Sequence, residues 1–242
     1  PFCLHMMDIL GRRTGEMHLA LASSHGNPGF DPEPFSLLYQ RSLYQAFQSQ
    51  IRMSCRNLSS FPEEIPKEHH SAVKEFVAYE SDFIHEIHPI IKKKISTLKT
   101  RIHGDYHLGN ILFSGKDLIM VNFEGDPTKS ITERRLKYCP LRDVSGMIWS
   151  MYYTAYSIFS QVTQIRPEDT PFLKPWVDFW VSCVVTSFLS AYLVTVGKAE
   201  FIPDNTSDLD LLLRIYTLER AVSKVDYMRI IRPDRIHIAM EV

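Results

Sequence analysis

The stretch that decides the fold of this 242-residue sequence is His103-Gly104-Asp105-Tyr106-His107-Leu108-Gly109-Asn110. Four residues separate Asp105 from Asn110, and Gly104 and Gly109 permit tight turns on either side of the carboxylate. Phosphoryl transfer needs a carboxylate that orients the attacking hydroxyl, and oxygen ligands for Mg²⁺ near the triphosphate. The loop therefore predicts that chemistry, and the alternative is a coincidental β-turn with an Asx cap.

Short β-like runs flank this loop, and helical periodicity fills the rest of the chain. The β-like runs are 100–103, 111–113 and 117–121, with Ser114-Gly115-Lys116 as the turn between the last two. Helices are predicted at 8–23, 34–57, 67–98, 141–164, 171–197 and 208–230. We predict a mainly α fold with a small central β-hairpin region. Within 1–242, a helical segment at 1–99 precedes the loop and hairpin at 100–139, and a helical subdomain follows at 140–242.

Composition excludes some partners. The formal net charge is −1 and the pI is about 6.9, so no global field recruits nucleic acid or an anionic membrane. The run from Phe179 to Gly197 carries no charged residue, and we expect a fully buried helix there rather than a membrane span. Four scattered cysteines without a CxxC pair, and no visible signal peptide, favour a cytoplasmic protein.

The pattern His-Gly-Asp-x-His-x-Gly-Asn resembles the catalytic loop of the aminoglycoside phosphotransferase and choline kinase superfamily. Other segments are similar to maltokinases, and the likeness runs from about residue 8 to residue 236: Leu10–His18, Asn122–Pro127, Glu133–Arg135, Pro140–Met147 and Leu218–Ala221. The resemblance implies the C-terminal lobe of a protein-kinase-like fold. It also implies ATP and Mg²⁺ as cofactors, and phosphorylation of maltose to maltose 1-phosphate in trehalose and glucan metabolism.

The resemblance also implies roles for single residues. Asp105 would be the catalytic base toward the sugar hydroxyl, and Asn110 a Mg²⁺ ligand. The family has Asp where this chain has Asn122, and an amide is a poorer ligand for a hard cation than a carboxylate. Glu124 and Asp126 could partly compensate.

The remaining candidates support the loop or contact the sugar. His103 and His107 would buttress the loop, with sugar binding as a second option for His107. Asp143 would fix the loop by hydrogen bonds, or serve as a simple charge at a helix N-terminus. The sugar-binding candidates are Glu124, Arg135, Trp149 and Tyr153, for which core packing or ordinary ion pairs are the alternatives.

No glycine-rich run precedes residue 100, and the sequence begins at Pro1 rather than Met. We therefore expect a fragment that lacks its ATP-binding N-lobe, with a trehalose synthase domain as a possible fusion partner. Asn122 favours an alternative from a different class, a non-catalytic carbohydrate-binding or regulatory pseudokinase domain. Another small-molecule kinase of the superfamily is a third reading.

Overall fold

The structure is a computed structural model that describes residues 2–162 and 166–241, and most of them are helical. This confirms the predicted mainly α class. The helices have the following bounds: α1 Phe2–Ala22, α2 Leu37–Ser60, α3 His70–Ala78, α4 Glu80–Ile87, α5 Ile131–Arg134, α6 Leu141–Gln161, α7 Thr170–Val196, α8 Thr206–Ile231 and α9 Ile236–Glu241. The predicted end of α6 at Gln164 lies outside the described residues.

Two small antiparallel sheets accompany the helices. The strands β1 (Glu33–Pro34) and β2 (Leu98–Lys99) pair with each other. The strands β3 (Ile111–Phe113) and β4 (Leu118–Met120) form the predicted hairpin, with Leu112 opposite Ile119.

The strand predicted at 100–103 is wrong beyond Thr100, which makes one bridge to Tyr138. The backbone N–H groups of His103 and Gly104 donate to the Asp143 carboxylate instead of to a neighbouring strand.

One compact unit comprises the chain up to Pro34 and Thr97–Asp204, and it holds the whole candidate loop. Its main helix pair is α1 against α7. Gly11 allows their close approach, because a Cβ there would lie 2.2 Å from the backbone oxygen of Phe188. The same packing buries Leu10 and Tyr192.

Helix α7 is only partly buried, so the expectation of a fully buried helix is wrong. By length and composition it is long and apolar enough to cross a membrane, and 33% of the residues in its most apolar 18-residue stretch are buried. Its C-terminal half packs on α1 through Phe188 and Tyr192, whereas Trp176 and Phe179 in its N-terminal half are exposed. An uncharged run does not reveal which of its faces a neighbouring helix covers.

The second unit comprises Phe35–Ser96 and the chain from Asn205 onward. The single long helix predicted at 67–98 is wrong, because Tyr79 separates α3 from α4 and a 3-10 turn at His88–Ile91 follows. Pro89 supplies no N–H for a continuing helix. The buried Gln40 side chain donates to the Lys93 carbonyl at 2.8 Å and accepts from the Ile95 N–H at 3.1 Å, which stabilises the non-helical end.

Candidate active site

The loop 103–110 is held in place by the carboxylate of Asp143, in the first turn of α6. One carboxylate oxygen accepts the His103 N–H at 2.7 Å, and the other accepts the Gly104 N–H at 3.0 Å. Asp143 is 3% exposed, so little water competes for these bonds. The carboxylate thus fixes the turn immediately before Asp105, where Gly104 has a positive φ of 83°.

His18 of α1 supports Asp143 from behind. Its Nε2 lies 3.3 Å from Asp143 Oδ2, and its Nδ1 lies 3.0 Å from the Tyr192 hydroxyl. Since a carboxylate only accepts hydrogen bonds, Nε2 donates to Asp143, and in the neutral imidazole Nδ1 accepts from the Tyr192 hydroxyl. Burial, and then the nearby Cys139 and Asp143, raise the pKa of Tyr192 well above its usual value, so its hydroxyl stays a donor.

Two further contacts anchor the loop. The Tyr106 hydroxyl lies 2.7 Å from that of Thr14 in α1, and burial raises the pKa of Tyr106. The Leu108 N–H donates to Ser150 Oγ of α6 at 2.9 Å. No role for His18, Thr14 or Ser150 was predicted from the sequence, and the available signal was that Thr14 and His18 fall inside the maltokinase-like segment Leu10–His18.

His103 joins the loop to the hairpin. Its Nε2 donates to the Val121 carbonyl at 2.8 Å, and its Nδ1 accepts the Asp105 N–H at 3.3 Å. Its ring centroid lies 4.8 Å from that of Phe123. Because one ring nitrogen of His103 binds the Val121 carbonyl and the other binds the Asp105 N–H, His103 sets the distance between Asp105 and the segment that follows β4.

The Asp105 side chain is 17% exposed, and one of its carboxylate oxygens lies 3.4 Å from His107 Nε2. The Nδ1 of His107 accepts the Gly109 N–H at 3.1 Å, and its Nε2 lies between the Asp105 carboxylate and the Asn110 side-chain nitrogen, which is 3.2 Å away. A partly exposed carboxylate on a loop fixed at both ends can accept a proton from a bound hydroxyl.

Asn110 and Asn122 contact each other directly. Asn110 is 7% exposed, and its Nδ2 donates to the Asp105 carbonyl at 2.8 Å. Its Oδ1 accepts a hydrogen bond from Asn122 Nδ2, also at 2.8 Å. The backbone of Asn122 has a φ of 65°, in the left-handed region that Asn and Asp tolerate better than most residues.

These residues do not fit a resident Mg²⁺. Mg²⁺ prefers several oxygen ligands, with one or two of them carboxylates. Here an N–H group faces the Asn110 oxygen. Residues 2–162 and 166–241 contain no group of three or more His, Cys, Asp or Glu side chains that could hold a metal. Asp126, which could have compensated, accepts hydrogen bonds from the backbone and hydroxyl of Thr128.

The sugar-binding candidates have different surroundings. Trp149 is 4% exposed and stacks on Tyr153 with ring centroids 5.0 Å apart, so the half-buried Tyr153 covers one of its faces. Arg135, at the C-terminal end of α5, and Glu124 are both exposed. An ion pair between Arg135 and Glu133 would compete with the cap of α5, because the Glu133 carboxylate already accepts a hydrogen bond from the Ser130 hydroxyl.

Arg13 of α1 fixes the far end of the hairpin. Its guanidinium donates to the Asp117 carboxylate at 2.7 and 2.9 Å, beside the turn between β3 and β4. The hydrogen bonds from Arg13 lower the pKa of Asp117 to about 2. The helix α1 therefore contacts both the loop and the hairpin that follows it.

One relative and three solved structures that resemble this chain are glucosamine kinases. No family model matches this chain. A glucosamine kinase from Streptacidiphilus jiangxiensis is 26% identical over 99 residues, which are 41% of this chain and 21% of that protein. A solved structure of glucosamine kinase in complex with glucosamine, ADP and inorganic phosphate has a TM-score of 0.79 at 20% identity, over 98% of this chain and 50% of that chain.

Two further solved structures of glucosamine kinase, crystal forms A and B, have TM-scores of 0.74 and 0.77 at 19% identity. The matched regions make up 51% and 52% of those two chains, and they make up 97% of this chain in both comparisons. The chain thus spans about half the length of the kinases with solved structures that it resembles. At these identities the likeness shows that the chain shares the fold of the matched half.

Proposed function

We propose that this chain is the catalytic C-terminal lobe of an ATP-dependent sugar kinase. The observation that carries the proposal is the loop geometry: a partly exposed Asp105 carboxylate, with a positioning His107, on a loop whose first turn is fixed by Asp143. The glucosamine kinases, which are similar in sequence over 99 residues and in fold over nearly the whole chain, support the same class. One of those structures contains ADP and phosphate, which is consistent with ATP as the donor.

The proposed chemistry depends mainly on the positioning of the two reactants. Asp105 accepts the proton of the attacking sugar hydroxyl, and His107 holds the carboxylate toward it. Such a loop lowers the barrier mainly by orienting the two reactants and by placing charge where it develops. Mg²⁺ bound with ATP would supply charge neutralisation at the phosphates. The Asn110–Asn122 pair does not provide the carboxylate that would hold it here.

The proposed substrate is a sugar with a free hydroxyl next to Asp105. Maltose comes from the maltokinase resemblance, and glucosamine from the names of the matched kinases. Tyr153, which covers one face of the buried Trp149, would stack on the apolar face of the ring, and Arg135 and Glu124 would bind its hydroxyls. A nucleotide-covering lobe, a fused trehalose synthase domain and a cytoplasmic location remain predictions from the sequence.

The test is an assay of ADP release by the protein against glucose, maltose, glucosamine, choline and an aminoglycoside, each with ATP and Mg²⁺. We expect release that depends on a sugar and falls to background in Asp105→Asn, whose amide cannot act as a base. A Gln45→Glu variant, altered at an exposed position of α2, should match the wild type. ADP release that does not depend on a sugar, or that persists in Asp105→Asn, would refute the proposal.

One observation favours a second candidate, a non-catalytic carbohydrate-binding domain. The Asn122 amide donates to Asn110, where an active kinase of the resembled superfamily has a carboxylate. Calorimetric titration with maltose and with glucosamine, without ATP, separates binding from turnover. Sugar binding together with an absence of ADP release under all conditions would favour this candidate over the kinase.

A further inference from the structure

We infer that the hydrogen bond between Asn110 and Asn122 takes the place of a divalent cation, so that this chain holds no cation on these two side chains. The inference concerns the same loop as the proposed kinase function. It rests on that proposed function, because only in a kinase would a cation be expected at these two side chains. It follows from the direction of one hydrogen bond, which the contact of the Asn110 side chain with the Asp105 carbonyl determines.

The orientation of the Asn110 amide is fixed by its surroundings. Its Nδ2 lies 2.8 Å from the carbonyl oxygen of Asp105, which can only accept. The nitrogen must therefore point toward Asp105, and the oxygen Oδ1 must point the other way. Oδ1 is then the group that faces Asn122, at 2.8 Å.

This orientation determines what Asn122 presents. An oxygen of Asn110 and an oxygen of residue 122 at 2.8 Å would repel each other unless a proton or a cation lay between them. Asn122 removes the repulsion by turning its Nδ2 toward Oδ1, so that its own N–H occupies the position between the two groups. The pair is satisfied without a metal.

The backbone keeps the two side chains together. The Val121 N–H donates to the Asn110 carbonyl at 3.1 Å, which closes the hairpin immediately before Asn122. On the other side, His103 binds the Val121 carbonyl. Asp tolerates the left-handed φ of residue 122 about as well as Asn does, so Asn122→Asp changes the charge and leaves the backbone unstrained.

The experiment measures Mn²⁺ binding by electron paramagnetic resonance, without nucleotide or sugar, in the wild type and in Asn122→Asp. We expect the substitution to tighten Mn²⁺ binding by about tenfold or more, because a carboxylate oxygen replaces an N–H that faces the ion. Gln45→Glu adds the same charge at an exposed site on α2 and should leave Mn²⁺ binding unchanged.

A second readout does not depend on a variant. In the wild type, the side-chain amide signals of Asn110 and Asn122 should show no selective broadening when Mn²⁺ is added. Selective broadening of these signals, or Mn²⁺ binding in the wild type as tight as in Asn122→Asp, would overturn the inference. Neither readout involves ATP or sugar, so the inference and the proposed kinase function can fail independently.

Discussion

Replacing Asp143 with alanine removes the group that holds the first turn of the loop. The substitution breaks two hydrogen bonds to a charged acceptor, from the N–H groups of His103 and Gly104. The His103 N–H is then left buried without a partner, whereas Gly104 is exposed and water can replace its lost acceptor. A lost bond to a charged group costs about 1.5–3 kcal/mol and an unsatisfied buried donor about 1–3 kcal/mol, so we expect a loss of about 3 kcal/mol in unfolding free energy.

The assay is urea unfolding followed by circular dichroism and tryptophan fluorescence. Asp8→Ala is the matched control, because Asp8 is a half-exposed acid of the same unit whose ion pair with Arg12 at 3.2 Å should contribute below about 0.5 kcal/mol. If the two variants lose equal stability, the assignment of Asp143 as the anchor of the loop is refuted.

A double-mutant cycle with His18→Ala tests the contact behind Asp143. Because His18 Nε2 lies 3.3 Å from the carboxylate and both side chains are buried, we expect a coupling energy of about 1 kcal/mol. Additive losses would show that His18 acts through its packing and not through Asp143.

Three further predictions concern other contacts. Arg13→Ala should raise the pKa of Asp117 from about 2 toward its usual value, as measured by NMR titration. Since the pKa of Asp117 is depressed in the folded state, the stability that this pair contributes is present above about pH 4 and is lost as the pH falls through about 2. Gln40→Ala should lower the unfolding free energy by about 2–4 kcal/mol, because the buried carbonyl of Ile90 and the buried N–H of Ile95 lose their partner, while Gln48→Ala on the same helix should cost less than half of that. Gly11→Ala should lower the melting temperature by several degrees, because the new methyl group collides with the backbone of α7, and an unchanged value would contradict the close packing.

Features encoded by short-range patterns could be predicted from the sequence. The turn Ser114-Gly115-Lys116 between two β-like runs gave the hairpin correctly. The spacing of Asp105 and Asn110 identified the candidate loop, and Gly104, which has a positive φ, marked the turn before Asp105. These signals lie within a few residues of one another, so no knowledge of tertiary packing is needed to read them.

Features that depend on distant partners could not be predicted. The helix expected at 67–98 is interrupted at Tyr79 and Pro89, and its non-helical end is stabilised by Gln40, far away in sequence, through the carbonyl of Lys93 and the N–H of Ile95. His18 and Asp143 are in contact although they lie 125 residues apart in the sequence, and no local pattern around either residue indicates that contact. Likewise, periodicity marked α7 as apolar but not which of its faces α1 covers.

The most direct test of the proposed kinase function is phosphorus NMR of the protein with ATP, Mg²⁺ and either maltose or glucosamine. A new sugar-phosphate resonance, formed together with ADP and absent with Asp105→Asn, is the predicted result. No sugar phosphate with either sugar from the wild type or from Asn122→Asp, in protein that still binds sugar, would contradict the account and leave the carbohydrate-binding role.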